Sequence, residues 1–347
     1  MKVQRDATYR DAIYIDQGWC LLNFKAYTSS ETICSVPNFI PNTAHWNNAR
    51  LQHFSLHANS HKRLAYLDPC LPSALAALAP GATIESMPSL IDESKSLLIC
   101  FDDCWSFFSW AKWWSQLNSK DTERPIVVLH ADDHADLDPP YLILDQYRII
   151  DAFTGWPVSM DTPESIASSI LSGAIGIGSF FVPLLHRVPN IEIRHLVPGH
   201  RSIGSKRLSP NYETTHLGLP KMQRLSLTES EDGAAVYIRT TEPARWVQNL
   251  PENAHVLLHI DLDYFNNRYA GDENWQHSTP LHDPQPVTMS LLLHNLCQVL
   301  DLSAPRARID HCAIALSPGF CPSEHWLFLL DRLRSGLEPA SIVLPKI

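Results

Sequence analysis

The seven residues His130-Ala131-Asp132-Asp133-His134-Ala135-Asp136 carry five ionisable side chains and directly follow an apolar run, Ile126-Val127-Val128-Leu129. A strand interior cannot hold that many charges, because an unpaired buried carboxylate is very costly. Alternation would put His130, Asp132, His134 and Asp136 on one side of an extended chain. A second group, Asp261-Leu262-Asp263, follows the run Val256-Leu257-Leu258-His259-Ile260, and its two carboxylates also share a side. Mixed imidazole and carboxylate ligands favour hard or borderline divalent ions such as manganese, zinc or iron. This many carboxylate-rich ligands exceed one tetrahedral zinc site. Two metals sharing aspartates fit better, and such a pair activates water between them. Either group alone could be a polar loop at a strand end. Two of them, each at a carboxyl end of one sheet, point to a ligand site.

The elements that must position these residues begin near residue 96. Strands are expected at Leu97–Phe101, Ile126–His130, Ile191–Val197, Val256–Ile260 and Cys312–Leu316. Helices are expected at Trp105–Trp114, Ser165–Leu171, Met289–Leu300 and from Ser323 onward. Thr162-Pro163-Glu164 reads as the cap and first turn of the second. Strands alternating with helices imply crossover units and an α/β fold with a mostly parallel central sheet. Residues 198–232 show little apolar periodicity and read as a long loop near the site, with a solvated basic stretch from Pro198 to Arg207 that could dock an acidic peptide. The organisation expected is an amino-terminal segment, 1–93, packed on or extending a catalytic domain, 94–347. That segment is loop-heavy, with one helix at Ser73–Leu78 stopped by Pro80-Gly81. His53, His57 and His61 share a four-residue spacing, but Asn59-Ser60 interrupts the helix signal, and a solvated surface is the simpler reading.

The totals bound the partners. The chain has 347 residues, 45% of them hydrophobic, enough for a sizeable core. It carries 27 basic and 37 acidic residues, net -10. That balance argues against nucleic acid and suits a cationic ligand, although many soluble proteins are equally acidic. The eight cysteines are scattered without a paired motif, as expected for free thiols in a reducing compartment. No signal-peptide pattern follows Met1, and no apolar run is long enough to span a bilayer. A cytoplasmic protein without membrane contact is expected; nothing in the sequence speaks for or against a homo-oligomer.

Asp132-x-His134-x-Asp136 followed by Asp261-x-Asp263 resembles the ureohydrolase superfamily of arginases, agmatinases and, more distantly, histone deacetylases. Phe101-Asp102-Asp103-Cys104, Leu129 to Leu137, His259 to Phe265 and Ser317-Pro318-Gly319-Phe320-Cys321-Pro322 are similar to the peptide arginase branch. The likeness covers about residues 96–330. It implies a three-layer αβα arginase-like fold and two manganese(II) ions. Asp132 and Asp261 would bridge them, Asp136 completing one site and His134 with Asp263 the other. It further implies that arginine residues of a ribosomally made precursor peptide become ornithine, with release of urea. The sequence departs from the pattern at the first histidine ligand, where Cys104 stands after Asp103. Asp103, Cys104 or water would fill that place, and thiolate suits a hard ion poorly. Asn266-Asn267-Arg268 replaces the usual aspartate-proline step.

Guanidinium hydrolysis also needs a general acid for the departing amine. Asp263, Asp136 or a nearby histidine could serve. His130 and His259 each stand two residues before a ligand, so either acts directly or supports the ligands from behind. Glu324 could receive the guanidinium through paired charge-assisted bonds, or merely favour a helix's first turn. The competing activities are a deacetylase-like amidohydrolase, hydrolysis of free arginine, and a metal-binding or peptide-docking protein without chemistry. The long amino-terminal segment favours a larger substrate than free arginine.

Overall fold

The computed structural model describes residues 13–14, 20–21 and 67–338, apart from 95, 146, 215–222, 273–274, 278–282 and 304–308. Most of the amino-terminal segment, including His53, His57 and His61, lies outside the described residues. Among the described residues, thirteen strands form one sheet: β1 (Ile13–Tyr14), β2 (Cys20–Leu21), β3 (Leu90–Glu93), β4 (Leu97–Cys100), β5 (Ile126–Ala131), β6 (Leu142–Asp145), β7 (Arg148–Asp151), β8 (Ile191–Leu196), β9 (Gly204–Thr214), β10 (Gln223–Glu229), β11 (Ala235–Thr240), β12 (His255–Asp261) and β13 (Ile309–Ala315). Their order is β1-β2-β3-β4-β13-β12-β5-β8-β11-β9-β10-β6-β7. The six central strands from β4 to β11 are all parallel. The flanks, β1 to β3 on one edge and β9, β10, β6 and β7 on the other, are antiparallel. The sheet is therefore mixed, with a parallel centre.

The described helices are α1 (Leu71–Leu78), α2 (Trp105–Ser115), α3 (Pro163–Leu171), α4 (Phe181–Arg187), α5 (Pro243–Trp246), α6 (Pro286–Ser303) and α7 (Trp326–Leu337). They cover both faces of the sheet, which explains the unbroken apolar runs of the central strands. Leu97, Ile99, Val127, Leu129, Leu258 and Ile260 face α1, α6 and α7. Leu98, Val128, Ile193, Leu257 and Ala313 face α2, α3 and α4. The aromatic helix α2 is core: Trp105 is fully buried and its Nε1 donates to the Pro88 carbonyl at 2.7 Å, so it is not available to a substrate. The residues just before position 93 join the same body, since α1 packs in the first core and β3 pairs with β4. Among the described residues, no helix is long and apolar enough to cross a membrane.

The excursion expected as a loop over 198–232 is instead largely the β9–β10 hairpin. Its strands expose most of their side chains and bury only Leu208 on β9 and Leu225 with Ser226 on β10. So few inward residues leave no alternation to read, and the pairing supplies what the side chains do not.

Leu258 is fully buried at the centre of β12. Leu258→Ala is expected to cost about 2–5 kcal/mol in urea unfolding, by transfer loss plus the cavity left behind. A loss under about 1 kcal/mol would show that the centre collapses around the gap.

Candidate metal centre

The two motifs sit at the carboxyl ends of β5 and β12, neighbouring parallel strands. Strand alternation does not bring their ligands together as the sequence suggested, because β5 ends at Ala131. Two side-chain turns do. Asp132 Oδ1 accepts from the backbone N–H of His134 at 2.6 Å, and Asp261 Oδ1 accepts from that of Asp263 at 2.8 Å. Each motif is thus a carboxylate folding its own chain two residues on. Asp136 then adopts a left-handed backbone, φ 53°. Aspartate tolerates this conformation better than bulkier residues do, and such strain gathers at functional sites. Gly178 (φ 73°) packs against it, and a Cβ there would stand 3.8 Å from Asp136 Oδ1.

Asp103, Asp132, Asp136, Asp261 and Asp263 are all buried. Burial first, and then the charges of the other aspartates, push Asp132, Asp136 and Asp261 well above the usual carboxylate range. Burial raises Asp102 and Asp103 to about 7, for Asp103 against the backbone hydrogen bonds it receives. The cations that approach are already committed. His134 Nδ1 lies 2.7 Å from Asp263 Oδ2, and although burial opposes it, this contact and the surrounding carboxylates raise His134 to about 9. Arg201 grips Asp133 through Nε at 2.5 Å and Nη2 at 2.6 Å, while Asn267 Nδ2 donates to the same carboxylate at 2.6 Å. These bonds outweigh burial and hold Asp133 below its usual range. The expected solvated basic stretch therefore contains an anchor: Arg201 ties the β8–β9 connection to the site.

Two overlapping sets of ligand atoms lie within 4.8 Å of one another: His130, Asp132, Asp136 and His259; and Asp132, His134 and Asp263. Asp132 belongs to both. Asp132 Oδ2, Asp136 Oδ2 and Asp103 Oδ1 are buried without a hydrogen-bond partner. Orphaned carboxylate oxygens in a desolvated cluster fit a cation, so these buried groups can hold a metal ion. Asp261 is in neither set, though its charge acts on the cluster.

The remaining expected residues fall as follows. Asp103 joins the acidic cluster electrostatically, with Oδ2 accepting from Gly178 N–H at 3.0 Å. Cys104 is in neither ligand set and packs in the core with Trp105 and Phe108. Burial and the neighbouring aspartates push its thiol far up, which keeps it protonated. Glu324 accepts from Arg268 Nη1 at 2.5 Å, and Arg268 Nε also lies 3.1 Å from Asp283. An incoming guanidinium would have to displace Arg268. His130 and His259 are fully buried beside each other, Nδ1 to Nδ1 3.0 Å, and neither reaches solvent. The sequence reading missed His195, Tyr237, Arg201 and Asn267. The signal for His195 was present: it stands near the end of its strand as His130 and His259 do on theirs. Neither protein-family models nor curated proteins give a match to this sequence.

The raised carboxylates set a sign for stability. A folded chain that keeps protons its unfolded form releases loses stability as pH rises. For Asp102 and Asp103 this window runs from about 4 to about 7. The buried His130, His195 and His259, which burial pushes below the usual imidazole range, act in the opposite sense while the unfolded chain still protonates them. The metal-free melting temperature should therefore fall between about pH 6.5 and pH 7.5, above their range, and manganese should restore it at the higher pH. Asp132→Asn should raise the metal-free value at pH 7.5 and remove the manganese effect. A metal-free melting temperature that climbs across this range would mean the cluster ionises without penalty.

Proposed function

We propose that the chain is a binuclear-metal hydrolase of the arginase-like kind, converting arginine residues of a precursor peptide to ornithine with release of urea. The observation that carries this reading is the pair of overlapping ligand sets sharing Asp132 inside a cluster short of positive charge. A parallel six-stranded centre covered by helices on both faces agrees with a three-layer arginase-like fold. Two ions are inferred because one cannot satisfy two sets, and manganese because the donors are mostly hard oxygens.

Asp132 would contact both ions, Asp136 one, and His134 with Asp263 the other. Asp103 is assigned to the place of the departed first histidine, since its Oδ1 is orphaned and the Cys104 thiol is held protonated. When bound, such ions lower the pKa of water and polarise the carbon under attack. Asp263, whose Oδ2 lies 2.7 Å from His134 Nδ1, is assigned to return a proton to the leaving amine. Asp133, fixed by Arg201 and Asn267, donates its backbone N–H to Asp263 Oδ1 at 3.0 Å and so orients that carboxylate. The acidic surroundings favour a cationic guanidinium over a neutral amide.

The test is urea release and mass spectrometry on an arginine-containing peptide and on free arginine in manganese buffer. The expected result is a loss of about 42 mass units per modified arginine, the guanidinium-to-amine change of such a hydrolysis, absent in Asp132→Asn. Urea from free arginine alone would replace the peptide by the amino acid. No urea from either, with acetyl-lysine peptides cleaved instead, would move the site to the deacetylase-like reading. Bound metal without any turnover would leave a docking protein.

A further inference from the structure

Three adjacent parallel strands carry a histidine at the same level: His195 on β8 pairs with His130 on β5, which pairs with His259 on β12. Neighbouring rings lie 4.4 and 5.0 Å apart, and all three are fully buried beneath the carboxylates. Aromatic side chains close the row from below, with Phe181 5.0 Å from His130 and Phe180 5.2 Å from His259.

The contacts fix where each proton sits. His195 Nε2 lies 3.0 Å from the carbonyl oxygen of Asp132. Only an N–H can bond a carbonyl, so Nε2 is the donor and Nδ1 bears the lone pair. That lone pair accepts from the Tyr237 hydroxyl at 2.5 Å. His130 Nε2 lies 3.1 Å from the carbonyl oxygen of His134, so it too donates, and its Nδ1 accepts from His259 Nδ1–H at 3.0 Å; with both nitrogens engaged His130 does not ligate, and Asp132 and Asp136 are the carboxylates left to hold an ion on that side. His259 Nε2 is left with a lone pair and no partner, which ends the chain.

We propose that His130 and His195 are positioning residues for the metal centre, clamping the backbone of the 132–136 loop by N–H donation to the carbonyls of Asp132 and His134. The role rests on the metal-centre reading above. The loop starts where the β5 strand ends, so the buried carbonyl of Asp132 and the part-buried one of His134 need donors from elsewhere. Both clamped residues are ligands, and they are tied to each other through Asp132 Oδ1 and His134 N–H. Fixing the two carbonyls therefore fixes the direction of the shared carboxylate and of the imidazole. Tyr237 acts one step further out, holding His195 in the donating tautomer.

The test uses the full chain, with ring ¹⁵N–¹H spectra of the metal-free protein and calorimetric titration with manganese(II) chloride. The spectra should show Nε2–H on His130 and His195 and Nδ1–H on His259. Manganese affinity should drop about 10-fold or more in His195→Leu and in Tyr237→Phe, the usual size of such outer-layer effects, yet stay within about 3-fold in His195→Gln, whose amide can still donate. A merely structural role would lower the melting temperature of all three variants without this split in affinity. Nδ1–H on His130 or His195 would overturn the proposal. So would manganese bound by His195→Leu, or by Tyr237→Phe should the leucine variant not fold, as tightly as by the unaltered chain. Affinity in His195→Gln as weak as in His195→Leu would overturn it too. An unaltered chain that binds no manganese yet shows the stated tautomers would sink the metal-centre reading, and the affinity role with it. Binding by that chain with unaffected variants would sink the clamp alone.

Discussion

Mutual repulsion among buried carboxylates is the constraint to which the rest of the molecule answers. Asp103, Asp132, Asp136, Asp261 and Asp263 converge where solvent cannot screen them, and three are pushed far up by burial and by one another. Without positive charge the cluster must hold protons, which works against a folded structure at neutral pH. A chain maintains such an arrangement when a cation completes it. The surroundings then divide into groups that hold the carboxylates together and groups that hold the loops in place.

The parallel centre of the sheet does the first part. Parallel neighbours β5 and β12 end at the same edge, so motifs following each strand meet without any long-range search. Short side-chain turns at Asp132 and Asp261 then fold each chain back on itself two residues on, the second opening a single helical turn over Leu262–Tyr264. The second part falls to residues far away in sequence. Arg201 and Asn267 meet on Asp133, joining the β8–β9 connection to the segment after Asp263. Asp133 itself is neutralised there, so it adds order to the site without adding to the repulsion.

The Glu324–Arg268–Asp283 group deserves comparison with the centre because it solves the opposite problem. There a guanidinium is already balanced by two carboxylates and sits with His325 beside it. Arg268 comes from the Asn266-Asn267-Arg268 stretch, which its ion pairs tie to Glu324 and Asp283. A substrate-binding role for Glu324 thus competes with an internal partner, whereas the orphaned oxygens of the centre have none.

The acidic motifs at the strand ends, the central strands and the covering helices were legible in the sequence because their signals are local. Apolar runs of six or so residues, a switch to charged residues at the strand end, and Asp-x-His-x-Asp followed by Asp-x-Asp each occupy a few neighbouring positions. The β9–β10 hairpin was not legible, since Leu208 and Leu225 alone mark its inner face. Nor was the parting of Asp103 from Cys104: the two are adjacent in sequence, and only the start of α2 turns the thiol into the core and leaves the carboxylate with the acidic cluster. The row of His195, His130 and His259, the tie from Arg201 to Asp133, and the loss of Glu324 to Arg268 all join residues dozens of positions apart. Sequence alone determined which chemistry the strand ends could carry. Tertiary structure decided which of those groups are desolvated, which are already paired and which are left wanting a cation, because burial and partnership depend on strand register and loop packing that no local pattern encodes.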